Sequence, residues 1–270
     1  MKLVSAFLAA GICAVALTAA QAQDKTYTVG IAPEPYLPYS TLNAANQWEG
    51  YEPDMIRAIC EEAKLKCEFT AIAWEGLIPS LTNNKVDIIV GAFTINAERQ
   101  KVVDFLTPYD FETTHVIGAK SDKTEIGLTK DPADPAVEIL DEKTMTGKVV
   151  GVQSSSTQSK YAATYLKSLE IKNYDTADNI LADMVIGRVD YTMVGSNFSA
   201  DFLKSDNGKD YHVAAVVPRN PVEGEGGIAA AVNKGNTELL NKLETALATL
   251  EKNGKREELS KKWFPYRYVK

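Results

Sequence analysis

The segment Gly50–Arg99 alternates between helical and extended hydrophobic patterns, and this alternation constrains the fold more than any other feature of the sequence. Apolar residues recur at helical spacing over Asp54–Lys64 and again over Trp74–Asn83. Extended patterns follow the first helix at Cys67–Ile72 and the second at Val86–Ala92. The latter is nearly all apolar, as is typical of a buried parallel strand. This order of elements predicts an open α/β sheet.

A strand precedes this segment, and a second α/β unit follows it. The further strands that the pattern predicts are Tyr27–Ala32, Thr113–Ala119, Lys148–Val152, Ile171–Tyr174, Tyr191–Val194 and Ile228–Val232. The further predicted helices are Asn96–Val103, Thr157–Leu169, Asp178–Ile186, Asn236–Asn253 and Lys255–Trp263. We interpret the polar stretch Asp122–Lys148 as a surface excursion. The chain is therefore expected to form two α/β lobes.

The first 22 residues have the organisation of a secretory signal peptide. Lys2 supplies a basic start, Leu3–Ala20 is apolar, and Ala20-Gln21-Ala22 is a small-residue cleavage motif before Gln23. An uncleaved membrane anchor is the alternative. We expect export to the periplasm. The net charge of −7 at pH 7 offers no basic field for nucleic acid or anionic lipid.

Two cysteines remain after the leader, which contains Cys13, is removed. An even number of cysteines in an exported chain predicts a disulfide, here Cys60–Cys67, with two free buried thiols as the alternative. No C-x-x-C motif is present, so the bridge would be structural. The histidines, His115 and His212, lack metal-ligand spacing. We expect no metal and no cofactor.

Functional residues are expected in the loops that follow the strands. Two-lobed α/β proteins bind ligands at the carboxyl ends of their strands, in the crevice between the lobes. The loops concerned are residues 33–39, 73–76, 92–99, 153–157 and 195–197.

Arg99 is the principal candidate for ligand binding. Asn96 can cap the following helix, which would place Arg99 in the first turn beside free backbone N–H groups. A guanidinium holds a carboxylate through two parallel hydrogen bonds, and a helix N-terminus adds a favourable dipole. The alternative is a surface arginine paired with Glu98 or Asp104.

A hydroxyl-rich loop, Ser154-Ser155-Ser156-Thr157, lies between a predicted strand and a predicted helix. Small hydroxylated residues at such a junction can cradle an anion or an amide. A serine-rich helix cap is the alternative. No G-x-S-x-G nucleophile elbow is present in the sequence.

Aromatic and acidic side chains occur in the same set of loops. The flat rings of Tyr36 and Trp74 could sandwich part of a ligand, although either ring alone is usually a packing residue. Glu34, Asp110 and Glu112 could meet a ligand amine, although single acids are usually solvated surface charges.

The mature chain, over essentially its whole length, resembles the periplasmic solute-binding proteins of polar amino acid ABC transporters, the type II "Venus flytrap" group. The matching motifs are G-Y-E-P-D-M at 50–55, W-E-G-L-I-P-S-L at 74–81, D-I-I-V-G-A-F-T-I-N-A-E-R at 87–99, G-V-Q-S-S-S-T-Q at 151–158, G-R-V-D at 187–190 and K-K-W-F at 261–264. The resemblance implies a two-lobe, hinge-connected type II fold. The Cys60/Cys67 pair also matches a disulfide that is common in the family.

The resemblance also implies roles for individual residues. Arg99 matches the arginine that clamps the ligand α-carboxylate, with Thr94 and the backbone near Ala92 as helpers. Tyr36 and Trp74 match the aromatic positions on either side of the ligand.

Further positions match the second lobe of the family. Ser156 and Thr157 match the residues that close on the carboxylate. The full set of expected ligand contacts is Glu34, Tyr36, Trp74, Ala92, Thr94, Arg99, Glu112, Ser154, Ser156, Thr157, Gly195 and Ser196.

The sequence departs from the family at the acids that hold the α-amino group. The acid of the first loop is replaced by Pro33, with Glu34 displaced by one position. The acid of the second lobe is replaced by Gly195, followed by Ser196 and Asn197. We therefore expect no ordinary amine clamp and an enlarged cleft. In its long excursion before Lys148 and in G-V-Q-S-S-S-T, the chain more closely resembles the opine-binding branch, whose ligands carry a substituted nitrogen.

The sequence thus predicts the substrate-binding component of an ABC importer that captures an amino acid or an amino-acid-derived carboxylate, opines included, by hinge closure. We expect residues 23–112 and 221–270 to form the first lobe and residues 113–220 the second. The expected partners are a small carboxylated ligand and inner-membrane permease subunits, with no nucleic acid, and we expect a monomer. We expect no enzymatic activity. The alternatives are a periplasmic enzyme of the cyclohexadienyl dehydratase type and a sensory input module.

Overall fold

The computed structural model describes residues 25–224 and 226–267, and the predicted signal peptide lies outside them. The strands are β1 (Thr26–Ile31), β2 (Thr41–Leu42), β3 (Trp48–Glu49), β4 (Lys66–Ala71), β5 (Ile88–Ile89), β6 (Val103–Phe105), β7 (Asp110–Phe111), β8 (Thr114–Ala119), β9 (Leu128–Lys130), β10 (Glu138–Leu140), β11 (Val149–Gln153), β12 (Glu170–Tyr174), β13 (Tyr191–Gly195), β14 (Tyr211–Val216), β15 (Gly227–Ile228) and β16 (Ala231–Asn233). The α-helices are α1 (Tyr51–Glu62), α2 (Leu77–Thr82), α3 (Thr157–Tyr165), α4 (Ala177–Val185), α5 (Ser196–Phe202), α6 (Thr237–Lys252) and α7 (Lys255–Trp263). No helix within these residues is long and apolar enough to cross a membrane.

The first of the two large sheets has the strand order β4-β1-β5-β16-β6. Strand β1 runs parallel to both β4 and β5, whereas β16 is antiparallel to β5 and β6. Helices α1, α6 and α7 cover one face, where Val29, Ile59 and Leu243 are fully buried. Helix α2 covers the other face, where Leu77 and Ile89 are fully buried.

The second large sheet has the strand order β12-β11-β13-β8-β14. Strand β11 runs parallel to β12 and β13, and β8 is antiparallel to β13 and β14. One hydrophobic cluster contains Val150 and Tyr161 of β11 and α3. A separate cluster contains Ile117, Ile180 and Phe198 of β8, α4 and α5. The sheet is therefore packed on both sides, as a parallel core requires.

The two sheets give the molecule the two-lobe type II architecture that the sequence predicts. Strands β1, β4, β5 and β6, together with β16, form the first sheet, whereas β8, β11, β12, β13 and β14 form the second. The pairs β2–β3 and β9–β10 are separate two-stranded sheets. The chain consequently crosses from the first sheet to the second and then returns. The expected lobe boundaries, 112/113 and 220/221, fall in these two crossings, and they stay a prediction.

Two local predictions are wrong. The helix expected over Asn96–Val103 is a single 3₁₀ turn, Arg99–Lys101, because Val103–Phe105 instead pairs with β16 as an edge strand. The stretch Asp122–Lys148 is more than a surface excursion. It contains the β9–β10 hairpin, and Ile139, Leu140 and Met145 within it are buried in the core of the second sheet.

A disulfide joins the end of α1 to β4, as the sequence predicts. Cys60 and Cys67 are bonded across a sequence separation of 7 residues. Closing a loop of this length in the unfolded chain is worth roughly 2–3 kcal/mol of stability.

We expect the double variant Cys60→Ala/Cys67→Ala to lose roughly 2–3 kcal/mol of unfolding free energy, because its unfolded chain is no longer constrained. Urea unfolding of the ligand-free protein measures this loss. Reduction of the wild type should reproduce it, and reductant should leave the variant unchanged. Equal stability of oxidised and reduced wild type would contradict a structural role.

Candidate functional site

A cleft with about 600 Å³ of empty space, its open mouth included, lies between the loops that follow the strands of the two sheets. Its wall on the side of the first sheet consists of Ala32, Glu34, Pro35, Tyr36, Ser40, Trp74, Gly91, Ala92, Thr94 and Arg99. Its opposite wall consists of Gln153, Ser156, Thr157, Gln158 and Ala177, and Glu112 lies at the crossing between the sheets. Parallel strands end at one edge of a sheet, so these loops converge.

Arg99 is buried in this wall and is only 9% exposed. Its Nη1 donates a hydrogen bond to the Thr94 carbonyl at 2.9 Å, and its backbone N–H donates to Asn96 Oδ1 at 2.9 Å. The guanidinium carbon lies 5.2 Å from the Phe93 ring centroid and 5.8 Å from that of Trp74. Burial lowers the pKa of Arg99 to about 10, so the side chain keeps its charge at neutral pH.

Neither acid proposed as a surface partner of Arg99 pairs with it. Glu98 pairs with Lys160 at 3.3 Å, and Asp104 pairs with Lys234 at 2.5 Å. Within residues 25–224 and 226–267, no carboxylate forms an ion pair with the guanidinium. A buried cation without a protein anion is costly unless an anionic group approaches it. The cleft is therefore suited to a carboxylate.

The two aromatic candidates differ in how they meet the cleft. Trp74 stacks on Phe93 at 4.7 Å, and its Nε1 donates to the Ser154 carbonyl of the facing wall at 3.0 Å. Tyr36 stacks almost parallel on Phe198 at 4.6 Å. One face of each ring is thus covered by another ring. Ser154 offers its carbonyl to Trp74, and it is not among the cleft-lining residues.

The hydroxyl-rich loop serves partly as a helix cap. Ser156 Oγ accepts from the Ser159 N–H at 3.0 Å and donates to the Gln153 carbonyl at 2.6 Å. Ser155 points to the rim, where its hydroxyl meets Glu75 Oε1 at 3.3 Å. Ser156 and Thr157 both line the cleft, so the N-terminal turn of α3 faces the buried guanidinium side.

The backbone near Ala92 is fixed by an acid behind the cleft. Ala92 has φ 50°, a left-handed conformation that non-glycine residues rarely adopt. Its N–H donates to Glu52 Oε2 at 2.8 Å, and the hydroxyl of Tyr109 donates to Glu52 Oε1 at 2.5 Å. The Ala92 N–H is therefore occupied by Glu52, whereas Thr94 contributes to the cleft and holds Arg99 through its carbonyl.

The three acids named from the sequence have different surroundings. Asp110 is 6% exposed, and it is bound by Arg267 at 2.5 Å and by the hydroxyl of Tyr39 at 2.6 Å. Glu34 and Glu112 line the cleft, and each has a buried carboxylate oxygen, Oε2, without a hydrogen-bond partner.

The structure corrects the expectation of an enlarged cleft at Gly195. A Cβ built on Gly195 would lie 2.3 Å from Glu112 Oε2, so the space that the missing side chain leaves is filled by another carboxylate. The Gly195 N–H meets the Tyr36 hydroxyl at 3.3 Å. Ser196 binds Thr113 through its backbone N–H at 2.8 Å and lines a neighbouring cavity behind Glu112.

Two glutamines of the cleft wall, Gln153 and Gln158, were missed from the sequence. Gln158 Nε2 donates to Thr114 Oγ1 at 2.8 Å, and Thr114 Oγ1 donates to Glu223 Oε1 at 2.6 Å. Glu223 is 8% exposed, and burial raises its pKa to about 7. The two glutamines flank the predicted hydroxyl loop and belong to the motif at 151–158, and this position was the signal that could have found them.

This arrangement defines a two-lobed α/β protein with a cleft between its lobes, and a buried guanidinium lines that cleft. The chain belongs to the bacterial extracellular solute-binding proteins, family 3, whose sequence profile matches residues 27–266.

Individual relatives bind amino acids or their derivatives. The chain is 32% identical to an L-arginine-binding protein of Pseudomonas aeruginosa, over 91% of this chain and 90% of the relative. It is 31% identical to an octopine-binding periplasmic protein of Rhizobium meliloti, over 72% of this chain and 69% of the relative. The structure of an ancestral arginine-binding protein bound to arginine matches with a TM-score of 0.75 at 26% identity, over 88% of this chain and 98% of that one.

We expect the unliganded protein to lose stability as pH rises from 4.5 to about 7, because Glu223 has a folded-state pKa of about 7, above its ordinary value of 4.5. Its contribution is complete below pH 4.5 and is lost as the carboxyl ionises. At about 1.4 kcal/mol per pKa unit, the full effect is about 3 kcal/mol.

Chemical unfolding of wild type and Glu223→Gln between pH 4.5 and 8 measures this effect. The variant should gain stability relative to wild type as pH rises, since glutamine can accept the Thr114 bond without titrating. Glu52 titrates in both proteins, so its contribution cancels in the difference. Parallel pH profiles would contradict the prediction.

Proposed function

We propose that the protein captures an amino acid, or a carboxylate derived from one, in this cleft and delivers it to the permease of an ABC importer. The observation that carries the proposal is the buried guanidinium of Arg99, which has no anionic partner among the described residues. The names of the relatives, which bind arginine and octopine, support the same class of ligand.

Capture would proceed by closure of the two proposed lobes, residues 23–112 with 221–270 and residues 113–220. The ligand docks on Arg99, and the loop at 154–157 then closes over it. Contacts from Trp74 to the Ser154 carbonyl and from Lys160 to Glu98 already cross the cleft in this structure. For ligand to drive closure, it must bind the closed form more tightly than the open form.

A thermal-shift screen of the mature protein tests the ligand class. The panel consists of amino acids, opines, dicarboxylates and sugar acids. A ligand at 100 times its Kd should stabilise the protein by about 2.7 kcal/mol. Shifts with amino acids or opines support the proposal, and shifts only with sugar acids or dicarboxylates would contradict it.

The same experiment separates transport from catalysis. Mass spectrometry after prolonged incubation should recover the stabilising compound unchanged. Conversion of the compound, for example dehydration of an aromatic precursor, would instead favour the enzyme alternative, since Glu34 and Glu112 are cleft acids that could act on a proton.

We expect Arg99→Ala to weaken binding of the ligand found in that screen by about 2–5 kcal/mol, the range for breaking a buried charge pair. Arg99→Lys should recover part of this loss, because lysine keeps the charge but not the two parallel hydrogen bonds. Calorimetric titration gives the three Kd values.

Arg188→Ala is the matched control, because the Arg188 side chain is 66% exposed and pairs with Asp183 outside the cleft. It should bind the ligand as wild type does. Unchanged affinity in Arg99→Ala would remove the clamp from the proposal.

A further inference from the structure

We propose that Glu112, lodged in the space above Gly195 and joined by Glu34, forms the subsite for positively charged nitrogen in this cleft. The inference rests on the proposed function and deepens it, because it assigns the ligand at least one ammonium or guanidinium group in addition to its carboxylate.

The Glu112 side chain leaves no room for a side chain at position 195. Gly195 has φ −60° and ψ 146°, a conformation open to any residue. A Cβ there would lie 2.3 Å from Glu112 Oε2 and 2.6 Å from both Cδ and Oε1. Any larger residue at 195 must therefore displace the carboxylate. The carboxylate of Glu112 thus occupies the space that a side chain at position 195 would fill. The acid reaches the cleft from position 112 and not from position 195.

Within residues 25–224 and 226–267, the carboxylate of Glu112 has no cationic partner, although it accepts a hydrogen bond from the Asn197 backbone N–H. The nearby Asp110 is already paired with Arg267, and its oxygens also receive the Tyr39 hydroxyl. Glu112 Oε2 and Glu34 Oε2 are buried and accept no hydrogen bond from the part of the chain that the structure describes. Buried polar groups in native proteins are almost always paired, so two orphaned oxygens in one cleft point to a missing donor.

A positively charged donor suits these two oxygens best. Burial, and after it the negative charge of Asp110, raise the pKa of Glu112, so the carboxylate form needs a cation beside it to be stable. A neutral donor would satisfy the oxygen but not the charge, whereas an ammonium or guanidinium does both. Arg99 is placed for a ligand carboxylate, and Glu34 and Glu112 are left for positively charged nitrogen. A ligand with two cationic nitrogens and at least one carboxylate, as in arginine and octopine, therefore meets all three side chains.

Binding of L-arginine, L-citrulline and octopine to wild type, Glu112→Gln and Glu34→Gln tests the subsite. Citrulline keeps the shape of arginine without its side-chain charge. We expect wild type to bind arginine or octopine, and each glutamine variant to bind that probe at least tenfold more weakly. We also expect wild type to bind citrulline at least tenfold more weakly than arginine. Glu170→Gln, an exposed acid on β12, is the matched control and should bind as wild type does.

The exchange between positions 112 and 195 provides a second test. Gly195→Ala should weaken binding, since its methyl group meets the carboxylate. The double variant Glu112→Ala/Gly195→Asp returns an acid to the same space and should bind more tightly than Glu112→Ala alone. Thermal melting of each variant checks that it is folded.

The outcomes separate the two proposals. If Arg99→Ala abolishes binding while Glu112→Gln and Glu34→Gln leave it unchanged, the carboxylate clamp stands and the cation subsite is wrong. If neither arginine nor octopine binds while a dicarboxylate does, the cation subsite and the proposed ligand class are both wrong. A folded double variant that binds no more tightly than Glu112→Ala alone would contradict the claim that acids at positions 112 and 195 occupy the same space.

Discussion

The burial of the Arg99 guanidinium is the constraint around which the cleft is organised. Taking an ion out of water costs several kcal/mol. Among the described residues, only the Thr94 carbonyl and the ring faces of Phe93 and Trp74 replace the water around the guanidinium. Under the proposed function, a ligand carboxylate completes this incomplete solvation. The electrostatic gain is greatest when the facing wall excludes water, because attraction between charges grows as the local dielectric falls. The same interaction can therefore supply both recognition of the ligand and a driving force for closure.

The loop that carries this interaction is held from behind by a buried acid, Glu52. Glu52 is fully buried and accepts hydrogen bonds from the Ala92 N–H and the Tyr109 hydroxyl, although burial raises its pKa to about 7. Ala92 adopts a left-handed backbone at φ 50°, which is unfavourable by about 1–2 kcal/mol for an L-residue. The acid stabilises this turn, and the turn directs the chain from β5 towards Thr94 and Arg99. Rigidity at the cleft thus depends on a residue that does not line it.

Hydrophobic periodicity was sufficient to predict most of the fold, because each strand and helix with a clear pattern packs on its own sheet. It was insufficient where a partner distant in sequence decides the structure. The chain at Val103–Phe105 continues as a strand only because β16 lies beside it. The stretch before Lys148 is mostly polar, yet three of its residues are buried in the core of the second sheet. The same limit applies to the site. Arg99 and Trp74 follow from local motifs, whereas the relation between Gly195 and Glu112, 83 positions apart in the numbering, is visible only in three dimensions.

The contacts that cross the cleft rim are too weak to set the closed state by themselves. The side chains of Lys160 and Glu98 are 57% and 69% exposed, and such a pair contributes about 0–1 kcal/mol. The bond from Trp74 to the Ser154 carbonyl adds about 0.5–1.5 kcal/mol on the scale of neutral hydrogen bonds. A buried charge pair at Arg99 is worth as much as both together, or more. This ordering supports the closure that we propose, in which the strongest attraction between the two walls is the one that the ligand provides.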